Sequence, residues 1–127
     1  MKTVFAFALL ATAVMTSGVV TSGARAEQSA SLHARTAGEL AELCGANPRE
    51  AEAIAKINFC HGFAQGAVDV ERKRAEESKL FCFPPSPPNR EVVLNEFVAW
   101  VRAMPDHRNQ PALDGLFHFL GERFPCK

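Results

Sequence analysis

The sequence predicts an all-α fold, a small bundle of about four helices stapled by disulfides. Three observations carry that expectation. Apolar residues recur at steps of three and four in separate stretches, and no stretch shows convincing strand alternation. Capping residues and prolines stand where those stretches begin and end. Four cysteines, Cys44, Cys60, Cys82 and Cys126, all follow a segment with the features of an export signal. An even cysteine count in an exported chain of this size implies disulfides, because the oxidising compartment permits them and a small core benefits from them.

The export signal is read from Met1-Lys2, an apolar run from Val4 to Val20 and the small-x-small tripeptide Ala24-Arg25-Ala26. A permanent membrane anchor is the rival reading. Thr12, Thr16, Ser17 and Gly18 dilute the run, however, and a spanning helix wants about 20 predominantly apolar residues. The expected organisation is a signal peptide over 1–26, a loose mature N-terminus over 27–35 and one helical domain over 36–127. After cleavage nothing remains that could span a membrane. Removal of Lys2 and Arg25 from the 14 basic residues leaves 12 against 14 acidic ones, a balance that does not suggest nucleic acid. Arg72-Lys73-Arg74 is the one basic cluster, and Glu71, Glu76 and Glu77 flank it as on a solvated helix face.

The first helix is expected at Thr36-Ala37-Gly38-Glu39, a capping box in which hydroxyl and carboxylate satisfy each other's backbone N–H groups. Leu40 and Leu43 give its apolar side and Gly45 its stop. Asn47-Pro48 offers a cap and a first-position proline for a second helix running to about Glu77. Ile54, Ile57, His61, Ala64 and Val68 form one stripe of it, with Phe59, Phe63 and Val70 on another side, so this helix is expected to be central. Gly62 and Gly66 each cost about 1 kcal/mol relative to alanine inside a helix. A close approach by another helix would explain them, with packing inside the domain favoured over a dimer interface.

Leu80 to Pro88 cannot be helical, since four prolines in five positions remove N–H donors and hold an extended course. A stiff connector pinned by Cys82 is favoured over a proline-rich recognition ligand. Asn89 caps a third helix, Arg90 to Met104, with Val93, Phe97, Trp100 and Met104 as its stripe and Pro105 as its end. Asn109-Gln110-Pro111 opens a fourth, with Leu113, Leu116, Phe117 and Leu120 facing inward.

Four cysteines allow three pairings, among which sequence alone does not choose. If the last two helices run out and back, Cys82 and Cys126 meet, leaving Cys44 with Cys60. The second pair carries a difficulty. From a helix start at Pro48, Cys60 lies about 18 Å along the axis, whereas a disulfide spans a Cα separation of about 4.4 to 6.8 Å. Either residues 45 to 53 form a separate turn, the favoured resolution, or the pairing is wrong.

No catalytic setting is recognisable. G-x-S-x-G, H-E-x-x-H and phosphate-binding glycine loops are absent, so an enzyme is not expected. Asp69, Glu96, Asp106 and Asp114 are the carboxylates that could meet in a cleft, with ordinary surface carboxylates the favoured reading. No C-x-x-C or H-x-x-x-H spacing points to a metal, and His33, His61, His107 and His118 are scattered. Ile57 stands where covalent haem attachment at Cys60-His61 would need a cysteine. His61 is either a pH-responsive group or a histidine accommodated beside the core. No cofactor is implied.

Leu43-Cys44, Cys60-His61-Gly62-Phe63-Ala64-Gln65-Gly66-Ala67-Val68-Asp69, Phe81-Cys82-Phe83-Pro84 and Phe124-Pro125-Cys126 form an ordered set. It resembles the Tai/Rap family of type VI secretion amidase immunity proteins over Glu39 to Cys126. Phe63 stands where that family usually has tyrosine, and the proline run is heavier than its common F-C-L-P form. The resemblance implies a helical, disulfide-bonded periplasmic protein, often dimeric, that binds a peptidoglycan amidase effector and obstructs its active-site groove. It carries over the four cysteines and the glycines and aspartate of the central helix as scaffold, not the inhibitory loops. The alternative is a stand-alone periplasmic binding or structural module without a toxin partner. Loops on a rigid scaffold concentrate binding. The expected contact residues are therefore Pro85, Ser86, Pro87, Pro88 and Asn89 in the connector, and Asp106, His107, Arg108 and Asn109 in a loop projecting between the last two helices.

Overall fold

The computed structural model describes residues 31–127, so the expected signal peptide and residues 27–30 lie outside the described part. Among the described residues there are five α-helices: α1 (Ala37–Cys44), α2 (Ala53–Glu71), α3 (Arg90–Ala103), α4 (Pro105–Asn109) and α5 (Ala112–Arg123). A short 3-10 turn, Glu76–Ser78, follows α2, and among the described residues there is no strand beyond an isolated bridge between Thr36 and Pro111. The bundle is all-α, with one more helix than the sequence predicts.

Thr36 caps α1 as its spacing requires, its hydroxyl accepting the Glu39 N–H at 3.1 Å. The return bond differs from the expected box, because the Glu39 carboxylate accepts the Arg35 N–H at 2.6 Å. A free N–H at the helix start also finds a partner outside the helix: Ala37 N–H donates to Gln110 O at 2.8 Å, and Ala112 N–H donates to Arg35 O at 3.0 Å. These two bonds join the beginnings of α1 and α5, and satisfied termini are what let so short a helix occupy the interior. Residue 35, expected in a loose terminus, is thereby part of the fold.

The second helix starts five residues later than Pro48. Asn47 caps only a single turn, accepting the Arg49 N–H at 3.1 Å, and Glu52 then takes a left-handed conformation with φ of 63°. A residue in that region breaks helical continuity, so residues 45–52 form a separate turn. Cys60 is consequently only two turns into α2, and the Cys44–Cys60 disulfide closes with a Cα separation of 5.1 Å. Cys82 and Cys126 are likewise bonded, with Cα atoms 4.9 Å apart.

α2 ends at Glu71, short of the expected Glu77, because Glu71 turns inward. Its side chain is 2% exposed, and its Oε1 accepts the N–H of Leu80, folding the chain back on the helix end. Arg74 lies with its Nε 2.9 Å from Oε2, an ion pair without the alignment of a hydrogen bond.

Nor is α2 the central helix. α1 holds that place, with α2, α3, α4 and α5 all packed against it. The buried seam of α2 is Ala53, Cys60, Ala64, Ala67 and Glu71, displaced from the expected stripe, and Ile54 is 76% exposed. Small side chains on this seam let a long helix lie close to a short one. The bulk of the core comes from Leu40, Phe97, Val101, Leu116 and Leu120, all nearly inaccessible. On α3 the buried set is Val93, Leu94, Phe97, Val98 and Val101, while Trp100 is half-buried and Met104 exposed. On α5 it is Leu116, Phe119 and Leu120 with Ala112 and Gly115, while Leu113 is exposed.

Candidate partner-binding surface

The connector is a loop with two fixed ends. At its start Cys82 is held by its disulfide and by its N–H, which donates to Phe124 O at 2.8 Å. Phe83 packs edge-on against Phe81 and Phe124 at ring separations of 5.3 and 5.0 Å, adding an aromatic anchor. At its end the Asn89 side chain caps α3 by accepting the Glu91 N–H at 2.8 Å. Between these points Pro84, Pro85, Ser86 and Pro87 are exposed and Pro88 is half-buried. A proline-rich segment pinned at both ends has little conformational entropy left to lose, which favours its use as a rigid contact surface.

The second expected loop is instead helix α4, folded onto the bundle. Asp106, Arg108 and Asn109 are exposed, but His107 stacks on Trp100 with ring centroids 3.6 Å apart and planes 7° from parallel. Its Nδ1 lies 2.9 Å from Trp100 O, and Arg108 reaches α1 through a 3.0 Å ion pair with Glu42. The projecting loop therefore gives way to a packed turn, because Pro105 starts a helix as well as ending one. The fold does not unite the two segments either. They flank α3, whose 14 residues separate them by roughly 21 Å at 1.5 Å per residue.

Polar ties fix α5 on α3. Trp100 Nε1 donates to Glu122 at 2.7 Å, and Arg123 engages both oxygens of Glu96 at 2.9 and 3.5 Å. The Glu96 carboxylate raises the Arg123 guanidinium pKa above its ordinary value. Glu96 is thus committed to Arg123, and Asp69 accepts from Gln65 at 2.8 Å on α2, so these two carboxylates serve other partners and form no acid pair. His61 is half-buried on α2.

A further exposed surface lies on α2. Gly62 and Gly66 face outward, and a Cβ on either would meet nothing within 4 Å. The expectation that they pack inside the domain is overturned. The face they share carries Ala55, Asn58 and Asp69, and beside it lie the stacked pair Phe59 and Phe63 and the 66% exposed Val70. The buried seam at positions 53, 60, 64, 67 and 71 puts residue 62 on the opposite side at 100° per residue.

These features define a small, disulfide-stapled helical scaffold whose exposed parts include a stiff connector and an outward helix face. Residues 36–126 match the family model for Rap1a immunity proteins, and the chain belongs to that family. No curated protein and no solved structure gives a significant match. Membership makes this an immunity-type protein, which implies binding of a cognate effector and points to a non-enzymatic role.

Proposed function

We propose that the protein acts in the periplasm, exported by residues 1–26, and neutralises a peptidoglycan amidase effector of a type VI secretion system by occluding its substrate groove. Family membership supports the immunity role. The observation favouring occlusion is the connector from Pro84 to Asn89, exposed yet fixed at both ends, which can enter a cleft without losing much disorder. The face of α2 around Gly62 and Gly66 serves self-association, since its glycines accept a second helix at short range and Val70 is otherwise left in water.

The test is a search of the neighbouring genes for a peptidoglycan amidase and reconstitution of the protein with it. One amidase per protomer is expected to bind, with loss of peptidoglycan hydrolysis. Replacing Pro85 to Asn89 by a Gly-Ser segment of equal length should release inhibition while the helical content stays unchanged. Full inhibition by that variant would remove the connector from the mechanism, and absence of any complex would remove the amidase.

A further inference from the structure

α2 packs on α1 and makes little close contact with α3 or α5, and the space left between these helices is lined also by Pro87 and Pro88. What remains is a cavity of about 480 Å³, within the roughly 300–1,000 Å³ usual for small-molecule sites. Its apolar lining includes Ala64 and Val68 from α2, Leu94 from α3 and Leu120 from α5. The charged residues lining it are both arginines, Arg72 and Arg90.

Neither guanidinium is neutralised in a way that would close the site to an anion. Arg90 donates to the neutral Gln65 side chain, and among the described residues no carboxylate lies within ion-pair distance of it. Arg72 pairs with Asp69 at 3.8 Å, but both side chains are more than half exposed, and so long a contact in water leaves the guanidinium able to turn to an anion. A cavity with an apolar lining and two cations among its charged residues selects by shape and by sign. It excludes a cationic head, and it gives an anionic one a charge-assisted partner beside an apolar chain.

We propose that this cavity is a binding site for a small anionic amphiphile, an aliphatic chain of moderate length carrying a single carboxylate. The site shares Pro87 and Pro88 with the connector, but its two cations and its apolar helix walls lie outside that segment, and the inference does not depend on the effector reading. The chain lies along Val68, Leu94 and Leu120, and the carboxylate is held by Arg72 and Arg90.

The experiment is amide NMR titration of the purified protein with decanoate and, separately, decyltrimethylammonium, both below their micelle-forming concentrations. Saturable binding of decanoate is expected, with shifts centred on residues lining the cavity and an affinity at least tenfold above that of the cationic amphiphile. The double variant R72Q/R90Q should lose at least tenfold in decanoate affinity. Val68→Trp, which fills the cavity from its α2 wall, should abolish binding, with circular dichroism verifying that each variant is folded. Equal affinity for the two amphiphiles, shifts centred on Ile54 and Val70, or unchanged affinity in the folded double variant would each overturn the proposal. So would adsorption to phosphatidylglycerol vesicles without saturable decanoate binding, since that describes a membrane-binding surface.

Discussion

Gly115 of α5 faces Ala37 of α1 so closely that a Cβ on the glycine would stand 2.6 Å from the Ala37 Cβ. The approach is set by the backbone bonds that tie residues 35 and 37 to residues 112 and 110, so neither helix start can retreat without losing them. Gly115→Ala should therefore destabilise the protein by about 1–3 kcal/mol, the usual cost of overpacking a well-filled interior. Urea denaturation measures it, and a midpoint equal to that of the parent would mean that the crossing can relax.

The glycines of α2 should respond in the opposite sense. Gly62→Ala and Gly66→Ala each remove a weak helix former where a methyl group meets open space, so each should stabilise the protomer by up to about 1 kcal/mol. If the face also pairs protomers, the same changes should weaken self-association in analytical ultracentrifugation. A loss of protomer stability would contradict the exposed placement.

Glu71→Ala strips the acceptor from the Leu80 N–H and the partner from Arg74 in a buried position. Arg74 is half-exposed and can turn to water, so the expected cost is about 2 kcal/mol, below that of breaking a fully buried pair. Glu71→Gln keeps an acceptor and should cost less. Equal losses for the two variants would show that charge, and not the hydrogen bond to Leu80, holds the end of α2.

The disulfides should contribute unequally. By the chain-entropy relation, closing the loop from Cys44 to Cys60 is worth about 3 kcal/mol and that from Cys82 to Cys126 about 4 kcal/mol. The paired replacements C44A/C60A and C82A/C126A, compared by chemical denaturation, should show that order. Loss of the second should also release the connector, seen as faster proteolysis near Pro84.

Acid should weaken the start of α1. The Arg35 N–H, followed by the Arg35 guanidinium and the Thr36 N–H, holds the Glu39 carboxyl below its ordinary value of 4.5 against a smaller opposing effect of desolvation. A carboxyl whose folded pKa is depressed lends stability that is fully present above the unfolded value and is lost as pH falls through the folded one. Stability measured against pH should thus decline below about pH 4.5, and Glu39→Gln should remove part of that decline. An identical pH profile in the variant would rule out this contribution.

Local rules were readable wherever local chemistry is sufficient. The Thr36 cap, the Asn89 cap, the extended proline segment and the helix opening at Pro111 all depend on residues within a few positions. The Asn47-Pro48 signal misled about helix length because a cap and a first-position proline describe a turn as well as a helix, and Glu52 then enters the left-handed region. The stripes of α2, α3 and α5 were displaced because several phases of an apolar pattern fit a short helix. Which phase is buried depends on what stands opposite.

The sequence by itself determined the helical class, the order of the four longer helices, the extended proline connector and the family resemblance, since these rest on spacing, propensity and motif. Only the tertiary structure decided that α1 is central, that Gly62 and Gly66 face outward while Gly115 is the glycine of close approach, and that residues 105–109 fold onto the bundle as α4. It also brought Arg72 and Arg90 to one apolar cavity from positions 18 residues apart. The physical reason is that burial and proximity are properties of pairs of surfaces, whereas a local pattern describes only one of them.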